Sequence, residues 1–457
     1  MKSITIIGSG LAGTLLSLYM ARRGYEVNVF ESRPDIRTEK LDRGRSINLA
    51  LSCRGITGLA SISLMSEVEK IMVPMFARAI HESNGEIKFQ AFGRHKDEYI
   101  NAIHRSELNA LLLNVAEREP RIHLYFDMKL VNLDIDKKLL HFELKNHEQL
   151  TRSYDVLIGA DGAGSRVREE LVRRQLIVAS RNFLPHGYKE LSISKSYSSD
   201  FVSEHLHLWP RDSFMLLGNP NRDYSITGTL FLALEGKNSF AELDNKIAIN
   251  AFFKKEFPDA YKAMPDLIGE FLNHPTGNLS TIKCAPWYFA DQCLLIGDAA
   301  HGIVPFFGQG MNSAFEDCRI LNELLDTYQD NWQEVMPAFF ASRKPNTDAV
   351  SAMSMDNYHE IQTDIRDEKF NLKKQIEQEL MHRYPEIYVS KHVLVMFTNT
   401  PYAKAKAYGE LQKQLLNEIC KKVRSIEEID WNEVDDLMLQ YDKNLANLNS
   451  KIKTLLT

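Results

Sequence analysis

Residues 3–13 read Ser-Ile-Thr-Ile-Ile-Gly-Ser-Gly-Leu-Ala-Gly, and this stretch decides the fold. The apolar run from Ser3 to Ile7 fits a strand buried on both faces of a parallel sheet. Gly8, Gly10 and Gly13 follow as GxGxxG, with Leu11 and Ala12 between the last two. In such a turn the first glycine permits the bend. The second lets a pyrophosphate approach the backbone, and the third lets the next helix pack closely on the strand. A helix is expected from about Leu11 to Arg23, then a second strand from Glu26 to Phe30 that ends at Glu31. That is one βαβ unit, with free N–H groups at the helix start for phosphate. An acid at Glu31 suits ribose hydroxyls and disfavours a 2′-phosphate, so the turn is expected to hold FAD or NAD, not NADP.

Two later segments repeat the buried-strand look: Tyr154 to Ile158, leading to Gly159-Ala160-Asp161-Gly162, and Cys293 to Ile296, leading to Gly297-Asp298. Between them the texture changes. Ala77 to Phe92 and Glu204 to Leu234 alternate strand runs with turn residues such as Asn219-Pro220-Asn221, as in an antiparallel sheet. From about Trp332 glycine and proline thin out, and Leu437, Tyr441, Leu445, Leu448, Ile452 and Leu455 recur at helical spacing. That apolar stripe is expected to pack on the body rather than make a dimer or membrane contact.

The chain has 457 residues, 44 % hydrophobic and 25 % charged, which excludes a disordered or collagen-like chain and allows two to four structural units. A net charge of −6 gives no global basic field, so no nucleic-acid partner is expected. The five cysteines, Cys53, Cys284, Cys293, Cys318 and Cys420, show no metal-ligand spacing. They suit a reduced, cytoplasmic protein with no metal. Neither a secretory signal nor an apolar run long enough to cross a membrane is read, so a soluble protein is expected.

The order GxGxxG, then Asp161-Gly162, then Gly297-Asp298 resembles the single-component FAD aromatic hydroxylases. The resemblance implies FAD as the bound cofactor. It implies that Asp298 meets the ribityl chain and that the backbone of Gly310, Met311 and Asn312 borders the flavin ring. Arg105, which opens a helical stretch, matches the arginine that reaches the pyrophosphate in that family. Arg45, Leu130 and Asp161 are expected beside the same cofactor. NADPH is implied as a transient co-substrate that visits without a Rossmann domain of its own, since no second GxGxxG occurs.

Five segments narrow the likeness: RGRSINLAL (43–51), HGYKEL (186–191), LHLWP (206–210), HPTGNL (274–279) and VPFFGQGMNSAFED (304–317). They resemble the branch of that family that 3-hydroxylates L-kynurenine, the kynurenine 3-monooxygenases, through an oxygenated flavin C4a-hydroperoxide. Arg78 matches the branch's carboxylate-binding arginine, and Asn357 its partner from the C-terminal helices. Arginine suits this work because its planar fork meets a carboxylate bidentately. Pro305, Phe306, Phe307 and Phe231 are expected to wall the ring site. Two positions depart from the branch. Its substrate tyrosines fall on Phe92 and His392, and His392 is expected to offer a hydrogen bond that strengthens on protonation. A related aromatic amino acid or aromatic acid as substrate stays open, as does a flavoprotein acting mainly through a protein partner. A homodimer is left open too. No residue is singled out as a general base.

The expected fold is α/β. A Rossmann-like FAD-binding domain (1–75, 100–185 and 280–345) carries an inserted, mostly antiparallel substrate sheet (76–99 and 186–279). A helical C-terminal region (346–457) completes the substrate pocket.

Overall fold

The computed structural model describes residues 3–38, 48–363 and 368–456. The strand Ser3–Ile7 lies inside a six-stranded sheet. Its strand order is Tyr288–Phe289, Cys293–Leu295, Val156–Gly159, Ser3–Ile7, Glu26–Phe30, Ile122–Tyr125. All neighbours are parallel except the Tyr288–Phe289 edge. Ile6 lies opposite Ile158 on one side and Val29 on the other. The chain therefore leaves this strand toward one neighbour and later returns to the other side. At that switch point a crevice opens beyond the strand's carboxyl end, and GxGxxG sits there. The helix Leu11–Arg22 is apolar nearly all round and accordingly buried, packed against the sheet and the helices Arg105–Arg118 and Gly310–Thr327.

The second large sheet has seven strands, in the order Gly277–Ala285, Val178–Ile193, Ile226–Ala233, Met215–Pro220, His205–Pro210, Ala77–His81, Ile87–Ala91. Its one parallel pairing joins His205–Pro210 to Ala77–His81, which brings Arg78 beside Leu206. The period-2 pattern sorts its faces. Leu206, Leu208 and Pro210 face a cavity, while His207 and Trp209 turn to the other side. Behind the sheet Trp209, Leu216 and Leu230 form a core with Phe252, Phe253 and Phe257.

Several expected boundaries shift. The strands expected at Tyr154–Ile158 and Cys293–Ile296 run from Val156 to Gly159 and from Cys293 to Leu295. The divisions at 185/186, 279/280 and 345/346 fall inside the strand Val178–Ile193, the strand Gly277–Ala285 and the helix Trp332–Thr363. Long elements run unbroken from the cofactor side to the substrate side, so texture changes in sequence do not coincide with breaks in structure.

The C-terminal helices Glu368–Arg383, Tyr402–Ile419 and Trp431–Leu456 share one core of Leu372, Ile376, Leu380, Leu415, Ile419 and Met438. The last helix buries Val434, Met438 and Tyr441, with Leu437 and Leu445 partly covered, so its packed face is rotated toward Val434 from the expected stripe. The side chains of Ile452 and Leu455 lie outside the described residues. Among the described residues no helix is long and apolar enough to cross a membrane. All five cysteines are free.

Behind the seven-stranded sheet, His207 is 1 % exposed. Its Nε2 donates to the Val202 carbonyl at 3.0 Å, and its Nδ1 meets His81 Nε2 at 2.9 Å. Burial pushes this imidazole from 6.5 down to about 4. A neutral buried histidine costs nothing at pH 7. It destabilises the fold once the pH falls below 6.5, because only the unfolded chain then takes up the proton. Linkage puts this at about 2 kcal/mol between pH 7 and pH 5. Urea unfolding of His207→Gln should show an acid-induced loss smaller than wild type by about that amount. Equal losses in the two proteins would dissociate His207 from the acid response.

Candidate active site

One continuous cavity of about 1450 Å³ runs from Gly8 and Glu31 at one end to Arg78 and His392 at the other. A pocket for one drug-sized ligand takes about 300–1,000 Å³, so this space suits a large cofactor together with a small substrate.

At the first end, Gly8 has φ +103°, and a Cβ there would lie 2.5 Å from the Ala160 carbonyl oxygen. A Cβ on Gly13 would lie 2.0 Å from the Gly8 carbonyl oxygen, so strand and helix close on each other only without side chains. Gly10 instead has open space where a Cβ would project, and it lines the cavity. The helix Leu11–Arg22 starts with no side-chain cap and no acid in its first turn, which leaves its N–H groups for an anion. The helix Gly310–Thr327 starts in the same way, with Gly310 and Met311 on the cavity wall.

Glu31 is 5 % exposed and accepts from the Ser9 amide at 2.9 Å and from Arg33 Nε at 2.9 Å. Burial opposes its charge, but Arg33 and the Ser9 N–H outweigh burial and hold the carboxyl below its usual range. Asp161 Oδ2 accepts from the amides of Arg166 at 2.7 Å and Val167 at 3.2 Å, while the buried Oδ1 meets no protein partner. Burial pushes this carboxyl up. An open Gly10, two uncapped helix starts and an unpartnered buried carboxylate oxygen fit a dinucleotide cofactor laid along the crevice.

Leu11, Ala12, Arg105, Leu130 and Asp298 also line the cavity. Gly13 lies behind it, and so does the buried side chain of Asn312, a residue expected at the flavin through its backbone. Asn312 donates to the carbonyls of Ala50 at 2.8 Å and Gly308 at 2.9 Å and accepts from the Ser52 amide at 2.9 Å. It staples the turn 308–312 to the strand Asn48–Leu51. Arg45 lies outside the described residues.

Asp298 is positioned from behind. Asp317 Oδ2 accepts from the Gly297 amide at 3.0 Å and from His301 Nε2 at 2.6 Å, and Oδ1 accepts from Arg343 Nε at 2.7 Å. Burial opposes the charge on Asp317, yet His301 and Arg343 hold its carboxyl below the usual range. His301 belongs to this cluster and not to the cavity wall. Arg54 extends it. Its guanidinium lies 3.9 Å from the Tyr402 ring centre and donates to the carbonyls of Val395 and Thr400, which fixes the segment after His392.

At the far end, residues distant in sequence converge. Arg78 Nη2 lies 3.1 Å from His392 Nε2, and Arg78 Nη1 lies 3.4 Å from Gln90 Oε1. The guanidinium sits 4.6 Å from the centre of the Phe92 ring. A guanidinium has no acceptor, so His392 Nε2 must accept and its proton rests on Nδ1. Burial, then Arg78, Lys374 and Lys391, hold this imidazole far below its usual range. The expected donor role of His392 is thus corrected: in this arrangement it is a neutral acceptor that orients Arg78. Burial lowers Arg78 to about 10, which leaves it charged at neutral pH.

Phe231, Pro305, Phe306 and Phe307 all line the cavity. Phe306 packs on Phe231 at 5.1 Å and on Tyr358 at 5.0 Å between ring centres. Phe307 lies 6.1 Å from the His392 ring, and Pro305 lines the cavity. Asn357 Nδ2 donates to the Phe306 carbonyl at 3.2 Å. Tyr358 and His186 were missed. Since His186 Nε2 donates to the Ser213 carbonyl at 2.9 Å, its Nδ1 accepts from the Tyr358 hydroxyl at 2.8 Å. Also missed was the helix Glu368–Arg383, whose Phe370, Lys374, Glu377 and Met381 line the cavity at helical spacing. That periodicity was present in the sequence to be read.

The fold and this two-ended cavity define an FAD-binding monooxygenase. The family model described as "FAD binding domain" matches residues 1–229 and 275–350. Solved structures agree on the fold. A tetrameric form of 2-methyl-3-hydroxypyridine-5-carboxylic acid oxygenase superposes with a TM-score of 0.64 at 19 % identity, covering 80 % of this chain and 94 % of that one. P. aeruginosa PqsL in complex with 2-aminobenzoylacetate gives 0.64 at 19 %, covering 79 % and 96 %. Among curated proteins, the kynurenine 3-monooxygenase of Legionella pneumophila (strain Corby) is 67 % identical over 98 % of this chain and 100 % of its own length. That of Myxococcus xanthus (strain DK1622) is 39 % identical over 95 % and 94 %. The chain belongs to the kynurenine 3-monooxygenase family.

Gly13→Ala tests the cofactor end. With a methyl group forced to 2.0 Å from the Gly8 carbonyl, the purified variant should carry at most a tenth of the wild-type flavin per chain, read from absorbance at the flavin band. Full flavin content would show that the turn does not need that close approach.

Proposed function

We propose that this chain hydroxylates L-kynurenine at ring position 3, taking up NADPH, a proton and O₂ and releasing 3-hydroxykynurenine, NADP⁺ and water. The observation that carries this reading is a half-buried arginine, Arg78, in the same cavity as the dinucleotide turn. The cofactor lies along Gly10, Glu31, Asp161 and Asp298, and the substrate lies against the seven-stranded sheet and the C-terminal helices.

The chemistry that FAD supplies when bound is reductive activation of O₂ at the expense of NADPH. The protein's own task is placement. The substrate is an aniline whose amine already enriches the ring carbon beside it, so little acid–base help is needed. Arg78 takes the substrate carboxylate bidentately and exchanges its hydrogen bond to neutral His392 for one to the ligand. Phe231 and Phe306 press the ring toward the turn Gly308–Met311 and keep water out, which limits wasteful release of hydrogen peroxide. Asn357 adds a polar contact from the long C-terminal helix. We place the enzyme in the reducing cytoplasm, the compartment that five unpaired thiols suit.

Turnover with product identification tests the reading: NADPH oxidation should rise on adding L-kynurenine, with 3-hydroxykynurenine formed. Arg78→Ala should lower kcat/KM for kynurenine about 10–150-fold, mostly through KM, because a charge-assisted bond is worth about 1.5–3 kcal/mol. An unchanged KM would remove Arg78 from the site. NADPH oxidation indifferent to kynurenine would remove kynurenine as the substrate.

A further inference from the structure

The helix Glu368–Arg383 has two faces with different duties. Leu372, Ile376 and Leu380 are buried against the last helices. Phe370, Lys374, Glu377 and Met381 lie on the face that lines the cavity. Polar charge on that face is not required for packing, and it lines the same cavity as Arg78 and His392, where the Glu377 carboxylate favours the charged form of Arg78 against burial.

The surroundings of His392 are strongly cationic, with Arg78, Lys374 and Lys391 all bearing on it. A simple aromatic acid would be well served by such a field. An α-amino acid would not, because once its carboxylate is on Arg78 its ammonium, borne on the adjoining carbon, faces the same cations. Binding a zwitterion needs an anion beside the clamp.

We propose that Glu377 receives the α-ammonium group of the substrate and so makes the site selective for amino acids over plain aromatic acids. This rests on the function proposed above. Glu377 is 16 % exposed and sits 3.6 Å from Lys374, the more exposed partner at 43 %. Lys374 swings toward solvent when the ligand arrives, and Glu377 exchanges one ammonium for another. Glu360 also lines the cavity, but from the helix that carries Asn357 and not from the face that carries Lys374.

The test compares L-kynurenine with its des-amino analogue, 4-(2-aminophenyl)-4-oxobutanoate, which keeps the ring, ketone and carboxylate. The FAD-loaded wild-type enzyme should favour kynurenine by about 10–100-fold in kcat/KM. Glu377→Gln should lose that factor on kynurenine and change less than threefold on the analogue. Equal kcat/KM for the two compounds in the wild type overturns the proposal without any variant. So does a Glu377→Gln loss that is the same on both compounds, or a preference abolished by Glu360→Gln and kept by Glu377→Gln. A wild-type enzyme that oxidises neither compound refutes the parent reading instead, so the two failures are distinguishable.

Discussion

The carboxylate of Asp317 is fully buried and reaches three neighbours: the Gly297 amide, His301 and Arg343. Those contacts join the turn that carries Asp298, the helix that begins at the cofactor wall and the helix that carries Asn357. Arg343 also holds Glu316 at 2.5 Å, and Glu316 lies 3.4 Å from Arg54, which anchors the segment after His392. Such a cluster adds little net stability over apolar packing, but removing one member strands a buried charge at a cost of about 3–5 kcal/mol. Its value lies in geometry. It fixes the distance between the cofactor end and the substrate end of one cavity.

That geometry explains why the substrate residues come from so many places. Arg78 lies on a strand that enters its sheet through the one parallel pairing. Its acceptor lies 314 residues away on a short helix, Lys391–Phe397. The ring wall comes from the turn before the cofactor-facing helix. Each part is held by an element whose other face is core, so the site is formed by rigid elements rather than by loops.

The cofactor half was legible because backbone demands leave marks on sequence. A close approach between Gly8 and Gly13 excludes side chains, and Asp161-Gly162 and Gly297-Asp298 end buried strands next to it. The substrate half was legible only through resemblance, which placed Phe92 and His392 beside Arg78 although no spacing in the chain implies it. What stayed hidden depends on tertiary contact. Whether His392 donates or accepts follows from the donor-only guanidinium it meets. The Asn312 side chain serves three backbone groups, at Ala50, Ser52 and Gly308, that no local pattern announces. Glu377 was passed over because a mixed polar face on a helix reads as solvated until a cavity is found against it.

On the proposed function, one cavity holds the cofactor and an amino-acid substrate end to end, with Arg78 as the clamp. A crystal structure of the FAD-loaded enzyme with L-kynurenine tests it most directly. The substrate carboxylate should pair with Arg78, and the aniline ring should lie between Phe231, Phe306 and the turn at Gly308–Met311. A carboxylate bound elsewhere, with Arg78 still engaged by His392, would contradict it.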